Sequence, residues 1–357
     1  MKKIKILDTT LRDGSYTINF SFSSSDTFII CKNLEKVGVE YIEIGHGLGF
    51  NASNSGYGKA LQTDEEYMIA ADSALRKSMY GMFCIPGIAR LEDLETAKKH
   101  NMGFVRIGTD VTKINESEKF IRKAKKLGLF VAANYMKSYA LEAEKFAEKV
   151  KQSKKFGADM IYIVDSAGGM FPDDIKKYFN AIKNNIDIPI GFHGHDNLGL
   201  SISNSLTAAE IGIEYIDSSL QGLGRSAGNA STEILVAALN KKNISTGIDF
   251  LKLLDFGWTY IQPLIMSKGK MPLDIVAGFA DFHSSYMHKI MKYSGKYNVD
   301  PALLIIEISK INKIEIDEKV LEKIAKKIQK SGLVYTAKYR FNLYLGNEQD
   351  GPKRNKY

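Results

Sequence analysis

Cysteine is scarce: the 357-residue chain has two, Cys31 and Cys84, both in apolar surroundings and without CxxC spacing. That excludes a disulfide framework and a cysteine zinc cluster, and it fits a reducing cytoplasm. Long apolar runs are absent as well. No stretch approaches the roughly 20 residues needed to cross a bilayer. Met1-Lys2-Lys3 runs straight into a strand pattern, without the apolar core or small-residue cleavage site of a secretion signal. The expectation is a soluble, cytoplasmic protein with no membrane association. Clustered basic residues are missing too. The formal charge is +8, but Lys98-Lys99, Lys123, Lys125-Lys126, Lys154-Lys155 and Lys241-Lys242 lie among Glu and Asp on helix-like segments. Solvated helix faces look like this. A nucleic-acid surface would gather its basic residues with aromatics, so no nucleic-acid partner is expected. The overall field still favours acidic metabolites modestly.

What is present is an alternation. Short β-branched runs recur, separated by segments of helical period and polar turns, as parallel strands with crossover helices do. Eight runs read as strands: 4–8, 41–45, 79–85, 104–108, 130–135, 160–165, 189–195 and 215–220. A helical pattern follows each, with Thr63 as a cap and Gly38, Gly128, Gly157 and Gly212 as stops. Eight strand–helix units in about 240 residues predict an α/β fold, a (β/α)8 barrel over residues 1–248. Later residues lack strands and predict helices over 250–265, 272–296, 300–311 and 317–329, a helical C-terminal domain over 249–340 followed by a polar tail, 341–357.

In a barrel of this kind, chemistry gathers at the C-terminal ends of the strands. Asp13, His46, Asp165-Ser166, His193 and His195 all fall there. His193-Gly194-His195 places two imidazoles at i and i+2, on one side of a strand. They are either two ordinary polar residues at a strand end or a pair aimed at one ion. In the second case a carboxylate is needed to hold a hard cation, and Asp13 after the first strand is the donor at hand.

Three segments carry a family likeness: Asp8-Thr9-Thr10-Leu11-Arg12-Asp13-Gly14, His193-Gly194-His195-Asp196-Asn197-Leu198-Gly199, and Gly222-Leu223-Gly224-Arg225-Ser226-Ala227-Gly228-Asn229-Ala230. Together they resemble the TIM-barrel metal-dependent carbon–carbon lyases and condensing enzymes, which include hydroxymethylglutaryl-CoA lyase and isopropylmalate synthase. Ile42-Glu43-Ile44-Gly45-His46-Gly47, Asp165-Ser166-Ala167-Gly168-Gly169-Met170 and the C-terminal Ala277 to Tyr286 stretch extend the likeness along the 4-hydroxy-2-oxovalerate aldolase branch.

The resemblance implies a lyase: a class II aldolase that cleaves or forms a 4-hydroxy-2-oxo acid through a pyruvate enolate, with pyruvate and an aldehyde as partners. It implies Asp13, His193 and His195 as ligands of Mn²⁺ or Mg²⁺, with Asn229 as a further ligand or a group behind the ligands. It further implies Arg12 as the cation facing the enolate oxygen. Ser166, with backbone N–H groups of Gly168-Gly169, would meet the substrate carboxylate, and His46 would support a loop or touch substrate. An acylating aldehyde dehydrogenase partner, or a homo-oligomer, comes with the branch.

The chain departs from the branch at one pair. The aldolases have histidine where Tyr16 stands, and their pairing tyrosine falls on His283. His283 is then the general base for the C4 hydroxyl, with Tyr16 positioning or relaying the proton, because an imidazole near neutrality suits the role better than a phenol. The alternatives are that the exchange marks a changed acceptor pocket, that the chain is a Claisen-condensing acyltransferase of the isopropylmalate synthase type, or that it is a non-catalytic barrel partner.

Overall fold

The eight β-branched runs form eight parallel strands: β1 (Lys5–Asp8), β2 (Tyr41–Ile44), β3 (Met79–Cys84), β4 (Phe104–Asp110), β5 (Phe130–Met136), β6 (Met160–Asp165), β7 (Ile190–Gly194) and β8 (Tyr215–Ser218). They pair in sequence order and close when β8 meets β1, with Asp217 opposite Leu7. The structure is a computed structural model and describes residues 3–265, 271–331 and 344. Helices follow the strands: α1 (Ser24–Val37), α2 (Asp64–Ala74), α3 (Leu91–Lys99), α4 (Glu118–Lys126), α5 (Ala143–Phe156), α6 (Pro172–Asn185), α7 (Ser201–Ile211) and α8 (Thr232–Lys241). Local chemistry sets their ends. Thr63 and Glu66 form a capping box at α2, and Gly38, Gly157 and Gly212 take left-handed backbone at the C-caps of α1, α5 and α7. α1 starts three residues before its apolar stripe because Ser23 and Asp26 make a second capping box. No described helix is long and apolar enough to cross a membrane.

Strand parity divides the side chains in two. Ile42, Ile44, Val105, Ile107, Val131, Ile161, Ile163, Phe192 and Ile216 are buried in the core shared by strands and helices. At about 1.5–3 kcal/mol for each large side chain fully buried, this layer is the main source of stability. The opposite set fills the barrel. Leu7, Tyr41, Phe104, Met160, Tyr162 and Tyr215 form its floor and middle, and Glu43, Arg106 and Asp217 share that face by parity. Large interior rings need small neighbours. A Cβ on Gly191 would lie 2.4 Å from the Tyr162 ring, and one on Gly108 would lie 2.3 Å from the Phe83 ring.

Past the barrel, α9 (Phe250–Phe256) runs into a π turn (Gly257–Ile261) and a 3-10 segment (Gln262–Leu264) where one helix was expected. Leu253 and Ile261 join the barrel's own core. A second core, including Leu273, Phe282, Met287, Ile290, Leu304 and Leu321, unites α10 (Pro272–Ala280), α11 (Met287–Tyr297), α12 (Pro301–Ser309) and α13 (Glu318–Lys330). The expected helix over 272–296 is broken. Asp281 turns left-handed at φ 53°, and His283 caps a 3-10 turn over Ser284–Tyr286 before α11 begins. The apolar period continues through the break at Phe282 and Met287, and no Gly or Pro marks it. The expected tail, 341–357, lies outside the described residues except for Tyr344.

His46, just past β2, is a bracket in this fold. Its ring stacks on Phe20 with centroids 3.8 Å apart, its Nε2 lies 3.2 Å from the Gly58 carbonyl, and its Nδ1 accepts the Leu48 N–H at 3.1 Å. Burial pushes this imidazole down from 6.5 to about 4, so it is neutral in the folded chain and charged in the unfolded chain in acid. The unfolded state therefore binds the extra proton, and the stabilisation present above pH 6.5 is lost as pH falls toward 4. We expect unfolding free energy to drop by on the order of 2–3 kcal/mol from this group across that window. Denaturant titrations of wild type and His46→Gln at pH 7 and pH 4.5 should show a smaller pH difference in the variant; equal differences would refute the assignment.

Candidate functional site

The loop after β1 folds around one carbonyl. Thr9 O accepts the backbone N–H groups of Arg12, Asp13 and Gly14 at 3.1, 2.8 and 3.1 Å, and Asp8 accepts the Thr10 N–H at 2.9 Å. This tight turn presents Arg12 and Asp13 at the mouth of the barrel. From β7, His193 and the following His195 reach the same point. One ligand-type atom from each of Asp13, His193 and His195 lies within 4.8 Å of the others, and all three residues are buried.

Each histidine has its Nδ1 engaged. His193 Nδ1–H donates to Asp217 Oδ2 at 2.9 Å, and His195 Nδ1–H donates to Gly228 O at 3.2 Å. Both rings therefore direct the lone pair of Nε2 inward, the orientation of ligand histidines backed by a carboxylate or carbonyl. Burial holds His195 down at about 4, so it is neutral at physiological pH. Burial alone would raise the Asp13 carboxyl, but Arg12, His195 and His193 outweigh it and keep it well below the usual carboxylate range. Asn229 donates its Nδ2 to Asp13 Oδ2 at 2.8 Å and to Leu223 O at 3.1 Å, while its Oδ1 is buried with no partner. One carboxylate, two imidazoles with Nε2 turned inward and one unsatisfied carbonyl oxygen fit a divalent cation.

Behind these groups lies a run of buried charge. Arg12 Nη1 donates to Asp13 Oδ1 at 2.6 Å, and its Nε donates to Glu43 Oε2 at 2.7 Å. Glu43 Oε1 is 3.2 Å from Arg106 Nε, and Arg106 Nη1 pairs with Asp217 Oδ2, the oxygen that also holds His193. The Phe83 ring lies 4.9 Å from the Arg12 guanidinium. Sequence reasoning gave no role to Glu43, Arg106 or Asp217. The signal was available: each is a charged residue on the inward parity of an apolar strand.

The remaining expected residues meet at the mouth with different emphasis. Ser166 is buried and its Oγ accepts the Lys137 N–H at 3.0 Å. The Gly168 and Gly169 N–H groups, expected to meet substrate, are instead spent on Asp165 O and Oδ1 at 3.2 and 3.1 Å. Both His46 nitrogens are taken by backbone, so the loop-support half of its expected role is the one the geometry favours. Arg225 links Tyr16 to the segment that carries His283: its guanidinium lies 4.9 Å from the Tyr16 ring and donates to Ser284 Oγ at 2.9 Å. The same residue's backbone N–H reaches Asp13 Oδ2 at 3.2 Å. His283 Nδ1 sits 2.7 Å from Ser285 Oγ. Burial, Arg225 and Lys137 push this imidazole well below 6.5, so it does not titrate near neutrality as expected from the sequence.

Comparison with known proteins bears on the family and the fold. A family model described as HMGL-like matches residues 3–258. A 4-hydroxy-2-oxovalerate aldolase of Carboxydothermus hydrogenoformans is 36% identical over 335 residues, 92% of this chain and 98% of that enzyme. One from Geobacillus genomosp. 3 is 37% identical, covering 86% of this chain and 91% of its own. The HMG-CoA lyase of Brucella melitensis superposes with a TM-score of 0.65 at 19% identity, over 75% of this chain and 100% of that one, which attests the fold. The chain belongs to the HMGL-like family of carbon–carbon lyases, on the branch of the 4-hydroxy-2-oxovalerate aldolases.

Proposed function

We propose that this chain is a divalent-metal-dependent aldolase that cleaves or forms a 4-hydroxy-2-oxo acid, with pyruvate and an aldehyde as the other side of the reaction. The observation that carries the reading is the buried Asp13/His193/His195 cluster with Arg12 bonded to Asp13. A divalent cation held there, with Asn229 Oδ1 as a further oxygen, supplies Lewis acidity toward the carbonyl of a 2-oxo acid, and the oxygen and imidazole donors suit Mn²⁺ or Mg²⁺.

The chain's own groups do the rest. In the cleavage direction the C4 hydroxyl gives up its proton, the C3–C4 bond breaks, and its electron pair moves through C2–C3 toward the C2 oxygen. Arg12 faces the charge gathering on that oxygen; its Nε and Nη1 are taken by Glu43 and Asp13, so the guanidinium is fixed before reaction and Nη2 remains for substrate. Ser166 keeps its O–H to donate to the substrate carboxylate. We assign the C4 proton to His283: its Nδ1 accepts the Ser285 N–H at 3.3 Å and lies 2.7 Å from Ser285 Oγ, which fixes the ring, and burial with the neighbouring cations Arg225 and Lys137 keeps it neutral. Tyr16, held against Arg225, positions or relays that proton. An acylating aldehyde dehydrogenase is the partner that would take up the aldehyde, and the exposed Ile275 and Phe279 of α10 are apolar side chains such a partner would cover.

Pyruvate methyl protons should exchange with D₂O in the presence of enzyme and Mn²⁺, stop exchanging with EDTA, and resume when metal is restored. Absence of exchange with every divalent metal tried would remove the enolate chemistry. His283→Ala should keep Mn²⁺ affinity and lower turnover by ~10²-fold or more; near-normal turnover would sink its role as base.

A further inference from the structure

Barrel interiors are ordinarily filled by branched apolar side chains. Here five ionic groups of alternating sign, Asp13, Arg12, Glu43, Arg106 and Asp217, cross the interior and end on His193. All are buried, and Arg106 and Glu43 show no exposure. Arg106 is flanked by the Tyr162 and Phe83 rings, 4.5 and 5.7 Å from its guanidinium carbon. Stability alone does not call for such a chain, because well-packed apolar residues commonly replace buried ion pairs without loss. Its placement gives another reason. One end is a candidate ligand, Asp13, and the other holds a candidate ligand, His193.

The contacts are also specific to the atom. Asp217 places a single oxygen, Oδ2, on both Arg106 Nη1 and His193 Nδ1, which commits the His193 proton to Nδ1 and leaves Nε2 as the donor atom. The His195 Nδ1, among the described residues, is held by a backbone carbonyl. His193, by contrast, is oriented by a carboxylate, the kind of partner that fixes the ring of a ligand histidine. At the other end, Glu43 and Asp13 hold two different nitrogens of Arg12 and so fix the plane of the guanidinium. The three carboxylates and two guanidiniums leave the chain one net negative charge, which a divalent cation and a monoanionic 2-oxo acid together neutralise.

We propose that Asp217 and Arg106 are positioning residues: Asp217 locks the His193 tautomer, and Arg106 ties that lock through Glu43 to Arg12, so that metal affinity and the placement of Arg12 depend on one buried chain. This rests on the reading that the site holds a divalent cation.

The test compares wild type, Asp217→Ala and Asp217→Asn by Mn²⁺ titration and by ¹⁵N-histidine NMR of the metal-free proteins, with the His193 signals assigned through His193→Gln. Wild type should show His193 protonated only at Nδ1. Asp217→Ala should lose that single-tautomer pattern and weaken Mn²⁺ binding by about 10–100-fold. Asp217→Asn, which retains an acceptor oxygen, should restore the pattern and recover part of the affinity. Unchanged His193 signals in Asp217→Ala, or affinity within about twofold of wild type, would overturn the proposal. Should Asp217→Ala fail to fold, Asp217→Asn decides: a loss of about fivefold supports the chain's role and wild-type affinity refutes it. If wild type itself binds no divalent ion, the metal reading falls, while the tautomer comparison still judges the lock.

Discussion

Everything at the mouth of this barrel depends on keeping charge out of water without leaving it alone. A buried ion costs several kcal/mol unless partners surround it, and truncating one member of such a pair is correspondingly severe. The barrel meets this constraint by alternation: each cation in the interior has a carboxylate on either side, and the terminal carboxylates face histidine and the candidate cation position. Glycines at inward positions give the large flanking rings room, so the charged chain is walled by aromatic faces as well as by opposite charge.

The fold was largely legible in the sequence because its signals are local. β-branched runs mark the strands, Thr63 and the glycines at Gly38, Gly157 and Gly212 mark helix ends, and their spacing supports the barrel. Asp13, His193 and His195 were legible for the same reason, since a strand's two-residue period and the ends of β1 and β7 bring them together. The interior chain was not. Glu43, Arg106 and Asp217 lie 63 and 111 positions apart in sequence, and nothing local in β2, β4 or β8 says that three single charges share one enclosed space. Only the register of the closed sheet says so.

The C-terminal region was harder for a related reason. An unbroken apolar period over 272–296 disguises the left-handed turn at Asp281, and that turn is what releases His283 from a helix face and lets it cap the next segment. The environment of His283 was equally invisible, because its cationic neighbours, Lys137 and Arg225, come from the turn after β5 and the loop after β8. The same loop serves three contacts at once: Gly228 O on His195, Asn229 on Asp13, and Arg225 on Ser284. Ligand geometry and helical region thus share a single support.

Where α10 crosses the barrel, Gly278 lies against Asn197 and Leu198, and Gly169 lies against the Gly278 carbonyl and Asp281. A methyl group on Gly169 would stand 2.4 Å from that carbonyl oxygen, and one on Gly278 would stand 2.9 Å from Asn197 Cβ. The helix therefore rests on the barrel backbone against backbone at Gly169, and backbone against the Asn197 and Leu198 side chains at Gly278. Two α-hydrogens, where any other residue would carry a side chain, set how closely the two can approach.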